Sequence, residues 1–200
     1  MIISQIEPLF NGRSPATGVK KGEKLTNKRI YLHSDNFRIM STIYYYFRYK
    51  TTQTMRFECS VTINQPLEKV VALFKDPKSL KEYQRGFLRK ELLNGVEGEE
   101  GAVSKLYYRQ GDGEMELTET IVTNQLPNTF LGRYHHKHMD NTMESSFKSV
   151  NALQSRYVAV VEYTEFRGIM PKMMAFFFPS TFKEQTQLWL ENFKKFAERN

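Results

Sequence analysis

Arg56-Phe-Glu-Cys-Ser-Val-Thr-Ile-Asn-Gln-Pro-Leu-Glu-Lys-Val-Val-Ala-Leu-Phe74 changes periodicity part-way along. Phe57, Cys59, Val61 and Ile63 fall on one side of an extended chain, and Arg56, Glu58, Ser60 and Thr62 on the other. That alternation predicts a half-buried strand over Arg56–Ile63. Asn64-Gln65-Pro66 then predicts a helix start, with Asn or Gln as cap and Pro in the first turn. Leu67, Val70, Val71 and Phe74 follow on one helical face. A strand running directly into an amphipathic helix sets the frame for the rest of the chain.

Downstream, Asp76-Pro77 stops the helix, and Leu80 and Tyr83 are the apolar positions of a short second one. Gly86 opens a strand through Leu93, and Asn94-Gly95 with the acidic loop Glu97–Gly101 turns the chain. Strand signals then recur at hairpin spacing: Val103–Arg109, Glu114–Thr123, Phe130–Met139, Met143–Val150 and Arg156–Phe166. Gly111-Asp112-Gly113, Leu126-Pro127-Asn128 and Asp140-Asn141 are the expected turns. The series reads as an antiparallel meander of about six strands after the two helices. Pro171–Glu198 closes the chain, with Phe182, Thr186, Trp189, Phe193 and Phe196 on one apolar face. Pro179 is expected to kink or divide that helix. A sheet with one apolar face needs a cover, and the last helix offers the only large apolar face. A curved sheet wrapped round it leaves room for a ligand.

The rest of the chain is set apart by charge. Net charge is +7, yet residues 1–54 carry nine Lys/Arg against three acids, leaving 20 against 19 in residues 55–200. A nearly neutral body argues against nucleic-acid binding through the main domain. Residues 1–54 read as a basic, disordered extension with an aromatic run, Ile43–Tyr49. Two other readings stand beside this one: a tail for RNA or an anionic membrane surface, and upstream sequence before a true start at Met55. Residues 55–200 form the domain. The single cysteine, Cys59, excludes an intrachain disulfide framework and reads as an inert core thiol. No stretch is long and apolar enough to span a bilayer, and Met1–Phe10 lacks the layout of a signal peptide. A cytoplasmic protein is the expectation.

From Met55 onward the chain resembles the START-like, or SRPBCC, superfamily and is most similar to a bacterial branch of it. The segments that carry the resemblance are Phe57–Ile63 with Gln65-Pro66 and Val70–Phe74, Gly113–Ile121, Leu126-Pro127, Val161–Tyr163, and Met173–Pro179 leading into Phe182–Gln185. The resemblance implies an α+β helix-grip fold: a seven-strand curved antiparallel sheet round a long C-terminal helix, with two short helices between the first two strands. It also implies a cavity for a hydrophobic or amphipathic small molecule, closed by the last helix. Tyr83 stands where related chains often carry Trp, which would reshape one end of the pocket.

The candidate cavity residues follow from the faces of the strands. Met115, Leu117, Glu119 and Ile121 share one face of a strand, and Tyr157, Ala159, Val161 and Tyr163 share another. Phe130, Gly132, Tyr134, His136 and His138 share a third. Small Gly132 and Ala159 are expected to leave space among bulky neighbours. Met173, Met174 and Phe176–Phe178 are expected to form an adaptable lip. Tyr83 and Trp189 complete the set, although plain core packing is the competing reading for every apolar position.

Glu119 is a carboxylate in an apolar row, so it needs a partner, a polar role in the pocket, or both. Glu119 and His136 are the candidate acid–base residues. His136, His138 and Asp140 suggest the start of a metal site, but no fourth ligand is in view, so no metal and no cofactor is expected. Gly-x-Ser-x-Gly, His-Glu-x-x-His and phosphate-loop motifs are missing, and Glu97, Glu99 and Glu100 would repel phosphate. Three functions remain. The first is binding, transport or sensing of a small hydrophobic ligand. The others are a polyketide cyclase- or dehydratase-like enzyme without metal, and a co-chaperone-like interaction module.

Overall fold

The computed structural model describes residues 54–200. The readings of the tail, including Ile43–Tyr49, lie outside them. Seven strands, β1 (Met55–Ile63), β2 (Phe87–Asn94), β3 (Val103–Gln110), β4 (Gly113–Gln125), β5 (Thr129–His136), β6 (Met139–Asn151) and β7 (Gln154–Phe166), form one antiparallel sheet. The order is β1-β7-β6-β5-β4-β3-β2, so the first strand pairs with the last. Between β1 and β2 lie α1 (Leu67–Lys75), a 3-10 turn at Pro77–Ser79 and α2 (Leu80–Tyr83). After β7 come α3 (Ile169–Phe177) and α4 (Pro179–Arg199). This is the seven-strand sheet and helix cover that the resemblance implies.

The β1 alternation holds: Cys59, Val61 and Ile63 are buried. The expected cap of α1 is different. Pro66 occupies the cap position and no side chain caps the helix. Asn64 is engaged elsewhere, its Oδ1 accepting from Gln154 Nε2 at 2.8 Å and its backbone N–H donating to Glu198 at 2.8 Å. Asn64 thus ties the start of β7 and the end of α4 to the first crossover.

The β5–β6 turn also differs from expectation. It falls at Lys137-His138, and Asp140 and Asn141 belong to β6, opposite His135 and Tyr134. Asp140 is held in the strand by its partners: it accepts from Arg167 Nη1 at 3.1 Å and meets His135 Nδ1 at 2.7 Å.

Pro179 divides the final helical region at Phe178, and itself opens α4, where its missing N–H costs no helical hydrogen bond. Phe182, Thr186, Leu190, Phe193 and Phe196 of α4 are buried. Leu190 therefore takes the central place expected of Trp189, which is rotated to the shoulder of the helix. Under α4, Tyr157 stacks on Phe147 at 4.5 Å, and Phe193 meets Tyr157 edge-on at 5.7 Å. Phe74 of α1 completes this cluster, 4.9 Å from Phe147 and 6.0 Å from Phe193. Among the described residues, no helix is long and apolar enough to cross a membrane.

Candidate functional site

A cavity of about 480 Å³ opens where the helical cover is thinnest. Phe74, Leu80 and Tyr83 form its helical side, and Leu106, Ile121 and Phe130 its sheet floor. Trp189 closes it from α4, and Glu97–Glu99 rim it. That rim is anchored to β4, since Asn124 N–H donates to Glu100 Oε1 at 2.9 Å.

The polar centre is built on three adjacent strands. Glu119 sits on the inner face of β4, directly opposite Ser104 of β3 and Tyr134 of β5. The small Ser104 leaves room for the carboxylate to turn inward. Lys90 Nζ of β2 reaches Glu119 Oε2 at 2.8 Å, and Tyr134 Oη donates to Glu119 Oε1 at 3.0 Å. The Lys90 and Glu119 side chains are 14% and 9% exposed, so the pair is largely withdrawn from water. Burial pushes the Tyr134 phenol well above its ordinary value, and the facing carboxylate adds to this. Tyr134 therefore remains a proton donor across the ordinary pH range.

Gly132 positions that donor. A β-carbon on Gly132 would lie 2.7–2.9 Å from the Tyr134 ring, which covers the glycine on the same face of β5. The space expected at Gly132 is thus filled by Tyr134 itself. Beside the cavity, the buried Tyr108 Oη donates to Gln84 Oε1 at 2.6 Å. Trp189 is the exception to this saturation. Its Nε1 is buried and, among the described residues, is the only such side-chain nitrogen or oxygen without a hydrogen-bond partner. An unmet buried donor costs about 1–3 kcal/mol.

Of the residues anticipated for the cavity, Tyr83, Glu119, Tyr134 and Trp189 line it together. Val161 lies in a separate cleft of about 40 Å³ behind Trp189. Met115, Leu117, Tyr157, Ala159 and Tyr163 are packed into the core. Met174 packs half-buried against the same core, while Phe178 is 55% exposed at the α3–α4 junction and does not line the cavity. The expected lip is therefore an exposed apolar surface rather than a cavity wall. His136 is buried at the end of β5, beyond Tyr134, where its Nδ1 accepts from the His138 backbone N–H at 3.3 Å.

The neighbouring histidine and carboxylate form a clasp. Burial works against the Asp140 charge, but hydrogen bonds from Arg167 and His135 outweigh it and hold the carboxyl below its ordinary value. No group of three or more His, Cys, Asp or Glu side chains among the described residues is placed to hold a metal ion. Cys59 is buried, and burial pushes its thiol up, away from the reactive thiolate.

Lys90, Gln84 and Phe74 were not anticipated in the site. Phe74 was legible as an inward helix position. Lys90 was not, because β2 shows no clean alternation and a lysine there reads as solvated.

No family model matches the sequence, and no curated protein does. Solved structures do match. Zhui aromatase/cyclase from Streptomyces sp. R1128 aligns with TM-score 0.61 at 13% identity, covering 74% of this chain and 95% of that one. The fold is a helix grip. Ara h 8.0201 shares this helix grip with TM-score 0.59 at 13% identity, over 74% of this chain and 100% of its own. Norcoclaurine synthase from Thalictrum flavum, solved with dopamine and hydroxybenzaldehyde, aligns with TM-score 0.55 at 9% identity, over 74% and 88%. At these identities the likeness establishes the helix grip and leaves the chemistry to this chain's own residues.

Proposed function

We propose that the protein binds a small amphipathic molecule in the cavity between β2–β5, the short helices and Trp189, for transport, sequestration or sensing. One observation carries this reading: a void of about 480 Å³ whose wall is divided between apolar and polar groups and holds the Lys90–Glu119–Tyr134 cluster. A wall that joins apolar side chains to fixed polar groups suits a ligand with an apolar body and a polar end. A filled core would be expected of a co-chaperone-like module, so the void weighs against that reading.

The test uses Trp189, the chain's single tryptophan, as a built-in reporter. Titration with 2-acetylnaphthalene is expected to change its emission with saturable one-to-one stoichiometry. Replacing Ile121, on the cavity floor, by Phe is expected to weaken binding about tenfold or more without unfolding the protein. Binding that is unsaturable, or unaffected by filling the cavity, would refute the reading.

A second reading is supported by Glu119 itself. A carboxylate held between a phenol donor and an ammonium group, facing the cavity, is equipped to move a proton on a bound substrate. Cyclisation or dehydration without metal is the corresponding reaction class. If such turnover exists, Glu119→Gln should lower kcat by about 10²–10⁴ while leaving substrate binding nearly intact.

A further inference from the structure

We propose that α3 and its junction with α4 form a membrane-docking face, which seats Ile169, Met170 and Phe176–Phe178 in the surface of an anionic phospholipid bilayer.

α3 is apolar on both sides. One side fastens it to the domain: Pro171 and Ala175 are buried, and Met174 packs on the core. The other side carries Ile169, Met170, Phe176 and Phe177, all exposed. The seven-residue spacings from Ile169 to Phe176 and from Met170 to Phe177 place these four along one stripe of the helix. Phe178, also exposed, continues the stripe past the helix end. The three rings form one cluster, with centroids 5.0 Å apart for Phe176 and Phe177 and 6.5 Å apart for Phe177 and Phe178. A helix that is apolar all round belongs in an interior. Large apolar side chains gathered on a surface, rather than scattered singly, mark a place where something docks.

Charge selects what docks. No acid lies between Arg167 and Lys183, and Lys172 and Lys183 stand on either side of the phenylalanines in the sequence. Arg167 is held by Asp140 and Glu165, so the two lysines carry the charge of the stretch. A second copy of the chain would bring the same cations against them, which is unfavourable. An anionic surface has the complementary sign. Residues 1–54 add to this, with nine Lys/Arg against three acids. They enter the domain at Met55, which pairs with Tyr163 near the end of β7, so their charge joins the sheet where the chain leaves for α3. Apolar side chains at the headgroup boundary, with basic groups beside them, are the combination that holds a protein on an anionic bilayer. Phe178 is no part of the cavity wall, so the inference stands apart from the cavity reading.

Flotation of the full-length protein with lipid vesicles tests the face. Vesicles of phosphatidylcholine alone are compared with vesicles that also contain phosphatidylglycerol. Binding is expected to be about tenfold or more stronger to the mixed vesicles, and to weaken as salt is raised. Phe177→Ser combined with Phe178→Ser should weaken binding to the mixed vesicles about tenfold or more. Both side chains are exposed, so the denaturation midpoint of that variant should match the parent's. Lys172→Glu should cut the preference for mixed vesicles about fivefold or more. Phe178→Trp reports insertion directly. Its emission, taken as the difference from the parent protein, should move to shorter wavelength on the mixed vesicles and be quenched by lipids brominated along the acyl chain.

Binding that survives the double serine replacement, or a Phe178→Trp reporter that lipid bromines do not quench, overturns the proposal and leaves the charge of residues 1–54 as the whole attraction. Equal binding to both vesicle compositions overturns the anionic selectivity. No binding to either overturns the docking face, and a parent dimer that the serine replacements dissociate would then assign it to a second copy of the chain.

Discussion

The two halves of the sheet face the same helical layer and are filled differently. Beneath α4, strands β1, β6 and β7 meet a dense aromatic cluster. Tyr163 stacks on Phe166 at 5.4 Å, Phe182 meets Tyr163 at 5.1 Å, and Tyr157 satisfies its hydroxyl with Ser145 at 3.0 Å. Over β3, β4 and β5 the cavity is bounded by Phe74 and Lys75 at the end of α1, by Pro77, and by Leu80 and Tyr83 of the single-turn α2, and the inward side chains include Ser104, Glu119 and Tyr134. Long helix and large rings make a closed core. Short helices and small or polar side chains make a cavity with fixed hydrogen bonds around it. Stability is therefore concentrated under α4, and the proposed binding site on the opposite half of the sheet.

Truncations give the sharpest contrast. Phe193→Ala removes a ring at the centre of the aromatic cluster and should cost about 3–5 kcal/mol of unfolding free energy. Leu106→Ala, on a wall that already faces the void, should cost about 2 kcal/mol, the low end for a buried leucine. Chemical denaturation of both variants checks the comparison. Equal losses would mean that the cavity half is as tightly packed as the other.

Next in size is the buried ion pair. Glu119→Leu strands the Lys90 ammonium and should destabilise the protein by about 3 kcal/mol. The double replacement Lys90→Met with Glu119→Leu should recover most of that loss, because the cost lies in the unpaired charge rather than in the absent attraction. Failure of the second substitution to rescue the first would show that Glu119 holds the cavity wall by some other contact.

Gly132→Ala probes the support of the donor. The added methyl must displace the Tyr134 ring, and a loss of about 1–3 kcal/mol is expected. The same change in a Tyr134→Ala background should cost much less, since the obstructing ring is gone. Additive effects would separate Gly132 from Tyr134 and remove it from the site.

The legible and hidden parts of this protein divide along the same line. The succession of strands along the chain, the two short helices and the final helix were readable because periods of two and of three to four residues reflect faces that must be buried. Glu119 stood out for the same reason, as a charge in an apolar row. What stayed hidden depends on side chains meeting across the sheet. Trp189 and Leu190 both fit the apolar stripe, and only the direction of α4 decides which one faces the core. Gly132 looked like vacant space because a ring two residues away is not visible as its occupant. Lys90 has no local signal, since its partner lies two strands away on β4.

The smallest expected effect lies at the rim of the packed half, where Arg167 joins β7 to Asp140 of β6. The Asp140 carboxyl is held below its unfolded value of about 3.9, so folding favours its ionised form. Its stabilising contribution is complete above that unfolded value and is lost as pH falls through the lower folded value. For a pair this accessible to water the contribution should be about 0.5–1 kcal/mol. Asp140→Asn should therefore lower stability by that amount at pH 6 and by much less at pH 2, with the two proteins converging in denaturation midpoint as acid is added. High salt at pH 6 should narrow the same difference by screening the pair. Convergence under both treatments would make the clasp an electrostatic tie at the surface of the closed core. A difference that persists in acid and salt would mean that Asp140 acts through its hydrogen-bond geometry at the β5–β6 turn, holding Lys137-His138 in the turn and His136 in the core.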